Sequence, residues 1–173
     1  MAHAYLLDTH RARGDTAMVR RLEAAPVSMA DGLSPAWMRL RDTALHRAGV
    51  GHARDIDSVI TGIFLPVWRV RAYTLMDKIN VWRGKIWSRP FFWEDLLRDD
   101  LSARLTQFEL PVYFFVGRHD RTAHPDLSRA WFDAIEAPLK GFYIFENSAH
   151  NPLFEEPGRA TEILLNDVLP GVP

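Results

Sequence analysis

The stretch that most limits what this chain can fold into runs from Leu110 to His150. It opens with Leu110-Pro111-Val112-Tyr113-Phe114-Phe115-Val116, a short run rich in aromatic and β-branched residues, and Gly117-Arg118-His119-Asp120 ends it. Ala123-His124-Pro125 leads into a helical pattern with Leu127, Ala130, Trp131, Ala134 and Ile135 on one face, the spacing of a half-buried helix. Pro138 stops that helix. After Gly141 comes a second apolar run, Phe142-Tyr143-Ile144-Phe145, which closes on Glu146-Asn147-Ser148-Ala149-His150.

Two continuous apolar strands joined by a helical crossover indicate a parallel βαβ unit covered on both faces. The lengths agree. A helix of about 13 residues returns about 20 Å, and a strand of about six residues advances the same distance. Parallel strands end on one edge of the sheet, where ligands of such folds bind. Asp120 and His150 are therefore expected side by side at that edge. An aspartate so placed can fix the tautomer of the imidazole and stabilise the imidazolium formed in proton transfer.

Pro-Val-Tyr-Phe-Phe-Val-Gly-Arg-His-Asp, followed about thirty residues on by Phe-Glu-Asn-Ser-Ala-His-Asn-Pro, resembles the last third of an α/β-hydrolase. The branch it resembles is that of proline iminopeptidases and related esterase-like hydrolases. The resemblance implies the C-terminal portion of that fold: residues 108–173 as the acid strand, the histidine strand and the last helix, after a helical cap over residues 1–107. It also implies the roles of Asp120 and His150 in a Ser-Asp-His triad acting on ester or amide bonds, aminoacyl or peptide bonds among them. No Gly-x-Ser-x-Gly and no His-Gly-Gly-Gly-type segment occurs in the sequence, and Ser148 reads as a turn hydroxyl. The expected picture is the back half of a serine hydrolase, inactive alone. It would take a small ester or amide substrate only when another chain supplies the front half. A non-catalytic binding or assembly protein, self-associating or pairing through its open strand edges, is the alternative.

Residues 1–107 read as helices without a convincing strand. Met1 to Arg13 ends at Gly14; Asp15 caps Thr16 to Ala25, which Pro26 stops; Ser34-Pro35 opens a helix to Gly49. Asp55 begins a segment over Ile56 to Leu65 broken at Pro66, and Val67 to Lys78 can continue it. Ser88 and Pro90 introduce a further helix from Phe91 to Leu105. Ala4-Tyr5-Leu6-Leu7-Asp8-Thr9-His10 and Ala72-Tyr73-Thr74-Leu75-Met76-Asp77-Lys78 also resemble helical parts of the same branch, more weakly. After His150, Glu155-Glu156-Pro157 precedes a final helix with Ala160, Ile163, Leu164 and Val168 expected inward.

With a net charge of −1 there is no electrostatic case for nucleic acid or an anionic membrane surface. Cysteine is absent, which excludes disulfides, thiol catalysis and Cys-based zinc sites. No apolar run reaches membrane-spanning length, and His3, Asp8 and His10 stand where a signal peptide has its apolar core, so a cytoplasmic setting is expected. Neither cofactor nor metal is expected. His119, Asp120, His124 and His150 could be imagined as a metal cluster, but His124 before Pro125 reads as a helix entry. Trp68, Trp82, Trp87 and Trp93 read first as packing, with an apolar pocket over the sheet edge as the sharper option. Glu94, Asp95, Asp99 and Asp100 read as a solvated helix face, with recognition of a substrate amine as the sharper option.

Overall fold

The structure, a computed structural model, describes the backbone of residues 1–28 and 32–171, with the side chains of all of these except 28, 32, 33 and 89–98. Trp93, Glu94 and Asp95 thus lie outside the described side chains. The architecture is mixed α/β: a small parallel two-stranded sheet flanked by many helices.

The first helices form as their caps dictate. Helix α1 (Ala2–Ala12) ends before Gly14, whose φ of 70° is the left-handed turn that glycine adopts without steric cost. Helix α2 (Thr16–Glu23) is capped by the Asp15 carboxylate, which accepts from Met18 N at 3.0 Å. Helix α3 (Pro35–Arg47) is capped by Ser34 Oγ, with Pro35 in its first turn and Gly49 at φ 73° beyond its end. Their apolar faces meet in one core: Leu6, Met18, Leu22, Trp37, Leu40, Ala44 and Leu45 are all buried there. Between α2 and α3 lies a feature that helical periodicity missed, an antiparallel pair of two-residue strands, β1 (Val27–Ser28) and β2 (Gly32–Leu33).

The middle of the chain departs from the expected breaks. A π-helical turn (Ile60–Phe64) runs straight into α4 (Leu65–Arg69), so the helix passes through Pro66 although that residue has no N–H to give to the turn before it. The actual break is at Val70, whose ψ of 114° is extended. Helix α5 (Leu75–Arg98) then passes through Pro90 without ending, and α6 (Leu101–Arg104) is a separate short turn capped by Asp100.

Strands β3 (Val112–Gly117) and β4 (Lys140–Phe145) pair in parallel, Val112 opposite Lys140 through Gly117 opposite Phe145. Helix α7 (Pro125–Ala134) makes the crossover and covers one face. There Phe114 stacks on Phe142 at 6.0 Å and meets Phe132 at 5.6 Å. The other face carries Phe115, Tyr143 and Phe145, packed against Ala160 and Ile163 of helix α9 (Pro157–Ile163), which follows the short α8 (Pro152–Glu155). Each strand has one paired edge among the described residues, so most of their side chains stay half-buried although their composition is that of interior strands.

Two expected faces are corrected. Of the face expected along α7, Ile135 is buried, but Leu127 is 59% exposed, Ala130 and Ala134 face solvent, and Phe132, off that face, is buried instead. Both apolar stripes of the helix carry an aromatic ring: Phe132 is buried against Phe114 and Phe142, while Trp131 meets Phe114 at 5.4 Å and stays half-buried. Beyond α9, Leu164–Val168 is π-helical; the wider turn rotates the face, so Val168 still packs on the Phe145 cluster whereas Leu164 is exposed.

Candidate active site

Two turns at the carboxyl edge of the sheet build the site, and backbone bonds lock them together. Arg118 N donates to Phe145 O at 2.9 Å, and His119 N to Ser148 O at 3.0 Å. The approach is so close that a Cβ on Gly117 would stand 1.8 Å from Ala149 O. Only glycine lets the acid turn and the histidine turn touch in this way.

Within that frame His150 Nδ1 lies 2.9 Å from Asp120 Oδ2. Asp120 is 5% exposed, and its other oxygen accepts from Thr122 N at 2.7 Å and Ala123 N at 3.0 Å. A buried carboxylate satisfied in this way is held in one rotamer. The hydrogen bond from Asp120 raises the His150 pKa above its ordinary value, against desolvation; Asp120's charge and Glu155 also raise it, and Arg41 opposes them. With Nδ1 committed to Asp120, Nε2 is the ring nitrogen left for proton transfer. An imidazole so oriented is a general base with a fixed tautomer.

The other histidines at this edge go separate ways. His124 is the N-cap of α7, its ring accepting from Asp126 N. Burial pushes the His119 pKa down, assisted by the nearby arginines. Among the described residues no group of three or more His, Asp or Glu converges as metal ligands would. Ser148 Oγ donates to Glu156 Oε2 at 2.6 Å, a turn hydroxyl as its position in the sequence implied.

Two glutamates just after His150 hold its loop, and sequence reasoning passed over both. Glu155 Oε2 accepts from Ala149 N at 2.9 Å and from Asn151 N at 3.3 Å, while Oε1 accepts from Arg54 N at 2.7 Å. Glu156 Oε2 also takes Asn147 N at 3.0 Å. The Asn151 amide reaches His52, donating to its carbonyl at 2.9 Å and lying 2.7 Å from Nε2. Arg54 and His52 belong to the helical half, so the loop is clamped from both sides. The only local signal was Glu155-Glu156 before Pro157, a carboxylate pair within reach of preceding amides.

Beside His150 lies a cavity of about 150 Å³ lined by Arg41, Asp42, Leu45, His46, Gly51, His52, Val59, Ile63, Lys85 and Thr122. None of the described tryptophans lines it. Trp68 and Trp82 instead pack on Phe64, at 5.9 and 4.8 Å between ring centroids. Trp87 is 69% exposed. The described acids of the 94–100 cluster are occupied locally: Asp99 pairs with Arg104, and Asp100 caps α6.

One curated protein matches part of the sequence. The "Probable aminopeptidase YbaC" of Bacillus subtilis (strain 168) is 32% identical over 85 residues, which is 49% of this chain and 27% of that protein. The matched segment is thus about a quarter of the relative's length. No protein-family model and no solved structure matches. Among the described residues no helix is long and apolar enough to cross a membrane.

Proposed function

We propose that this chain is the acid- and histidine-bearing part of an α/β-hydrolase-type serine hydrolase that cleaves ester or amide bonds, aminoacyl bonds among them. The observation that carries the reading is the 2.9 Å bond between Asp120 Oδ2 and His150 Nδ1 at the ends of adjacent parallel strands, beside a cavity. In the complete site a serine hydroxyl gives its proton to His150 Nε2 as it attacks the carbonyl, and His150 returns it to the leaving group. Asp120 orients the ring and stabilises its charged form. Backbone N–H groups would hold the oxyanion. The serine and those donors lie in polypeptide outside these 173 residues, and the similarity to an aminopeptidase supports the reaction class.

A second reading, a binding or assembly role, draws on the unpaired strand edges and on the exposed stripe of α7 with Leu127 at its centre. The two readings share an occupant: a chain that adds strands beside β3 would cover the stripe and bring the nucleophile. They part at turnover. Coexpression with the part of the Bacillus relative outside the matched segment is the test. Ester or aminoacyl-amide hydrolysis that vanishes in His150→Ala, with the 173-residue chain alone inert to a fluorophosphonate probe, is the expected result. Complex formation without hydrolysis would leave the assembly role and remove the enzymatic one.

A further inference from the structure

We propose that the cavity beside His150 is a carboxylate subsite: it takes a small ligand with an apolar body against Leu45, Val59 and Ile63 and a carboxylate held by Lys85 and Arg41. Its volume of about 150 Å³ is that of an engineered cavity that accepts benzene, so one ring or a few carbons fill it.

The charges in the wall set the sign of the ligand. Arg41 and Lys85 are the basic side chains of the wall, and among the described residues Asp42 is the one carboxylate in the lining. Asp42 Oδ1 is already taken by Arg41, at 3.0 Å from both Nε and Nη2. The lining therefore keeps a net positive charge from Lys85, whose ammonium lies over the Trp82 ring at 5.6 Å. Two neighbouring carboxylates are already engaged and offer little to an incoming ammonium. Asp120 is bound by Thr122, Ala123 and His150, and Glu155 by three backbone amides. A carboxylate finds donors instead.

The imidazoles fit the same polarity. His46 is wall, not ligand: its Nδ1 lies 2.6 Å from Asp42 O, and its Nε2 accepts from His52 N at 3.3 Å. His52 is pushed toward its neutral form by burial and by His150, His46 and Lys85, with Glu155 opposing. An anion entering here relieves that repulsion. Arg41 acts on the His150 ring, so a carboxylate bound by the guanidinium stays within electrostatic reach of the proton-transfer group.

This assignment rests on the hydrolase reading for its substrate class. His150 must deliver a proton to the leaving nitrogen as the acyl C–N bond breaks and water completes the acid. A leaving amino acid carries its carboxylate one carbon from that nitrogen. The cavity therefore suits peptides whose scissile bond precedes a single C-terminal residue with a free carboxylate.

The test needs no turnover. The 173-residue chain is titrated with benzoate, benzamide and benzylamine while the ring resonances of His150 and His52 are followed by NMR. Benzoate is expected to shift both saturably and raise both ring pKa values. Benzamide should bind about tenfold more weakly or worse, the size of one charge-assisted hydrogen bond. Lys85→Gln, an exposed change that leaves the core alone, should lose the same factor for benzoate only. Equal binding of benzamide or benzylamine, an unaffected Lys85→Gln, or no saturable shift with benzoate would overturn the subsite. Benzoate binding without turnover in the complemented protein would keep the subsite and remove the hydrolase. Turnover without benzoate binding would do the reverse.

Discussion

Glu155 offers the sharpest test of how the histidine loop is held. Its carboxylate accepts three backbone N–H groups, two from the loop and one from Arg54, 101 residues away in sequence. A hydrogen bond to a charged acceptor contributes about 1.5–3 kcal/mol where water cannot replace it, and far less at the surface. Of the three, those from Ala149 and Asn151 are partly buried and that from Arg54 is exposed. Glu155→Ala should therefore cost about 2–4 kcal/mol, essentially two shielded bonds and a fraction of the third. Glu155→Gln keeps one acceptor oxygen, which can stay on the Ala149 and Asn151 side while its NH2 faces Arg54 N. That change should cost only about 1 kcal/mol.

Urea unfolding measures the totals, and hydrogen exchange at the Ala149 and Asn151 amides shows where they act. Exchange there should accelerate strongly in Glu155→Ala and little in Glu155→Gln. Both variants should also lower the His150 pKa, because Glu155 is among the groups that raise it. A Glu155→Ala protein within about 0.5 kcal/mol of the parent, with unchanged exchange at both amides, would show that the loop is held by other means.

Gly117→Ala forces a methyl against Ala149 O and Ser148 O, at 1.8 and 2.6 Å, so it should destabilise by about 3 kcal/mol or more and spoil the Asp120–His150 bond; a normal melt would refute the close approach. In Asp120→Asn the His150 pKa should fall below its value in the parent, as NMR titration would show. Because that pKa is raised on folding, the pair stabilises fully below the ordinary histidine value of 6.5 and loses this contribution as pH rises through the folded value. The stability gap between parent and Asp120→Asn should therefore be wider at about pH 5.5 than at about pH 8; a gap independent of pH would contradict the charged pair. Leu127→Glu, at a side chain 59% exposed, should change the isolated chain by less than about 0.5 kcal/mol yet block complementation by a strand-bearing partner. Unimpaired complementation would place the partner elsewhere.

The parts that were legible in the sequence are those whose cause is local. Continuous apolar runs bounded by Gly117 and Glu146 announce strands, and Pro125 and Pro138 bracket the crossover. Once the strands are parallel, the residues just past their ends must meet, which is why Asp120 and His150 could be paired before any coordinates. The glutamate clamp was not legible, since Glu155 reaches a backbone amide 101 residues away and backbone amides carry no sequence label. Nor could Pro66 and Pro90 be placed: the π-helical turn before Pro66 runs on into α4, so the helix absorbs a proline that a sequence pattern reads as a break. At Pro90 the helix continues in spite of the lost donor.

Helix α7 failed for a different reason, and the failure carries information. Of the expected face, Ile135 is buried and Trp131 meets Phe114 at 5.4 Å, whereas Leu127, Ala130 and Ala134 are exposed and Phe132, off that face, is buried against the sheet. A two-stranded sheet is too narrow to cover both stripes. The surplus stripe adjoins Phe114 of β3 and forms, with Ser102 and Ala103 of α6, an open groove of about 660 Å³. One covering element would have to lie over α7 and against β3 at once, and a neighbouring β-α unit has that shape. On the proposed reading, an element laid over this groove is what would bring a nucleophile to His150.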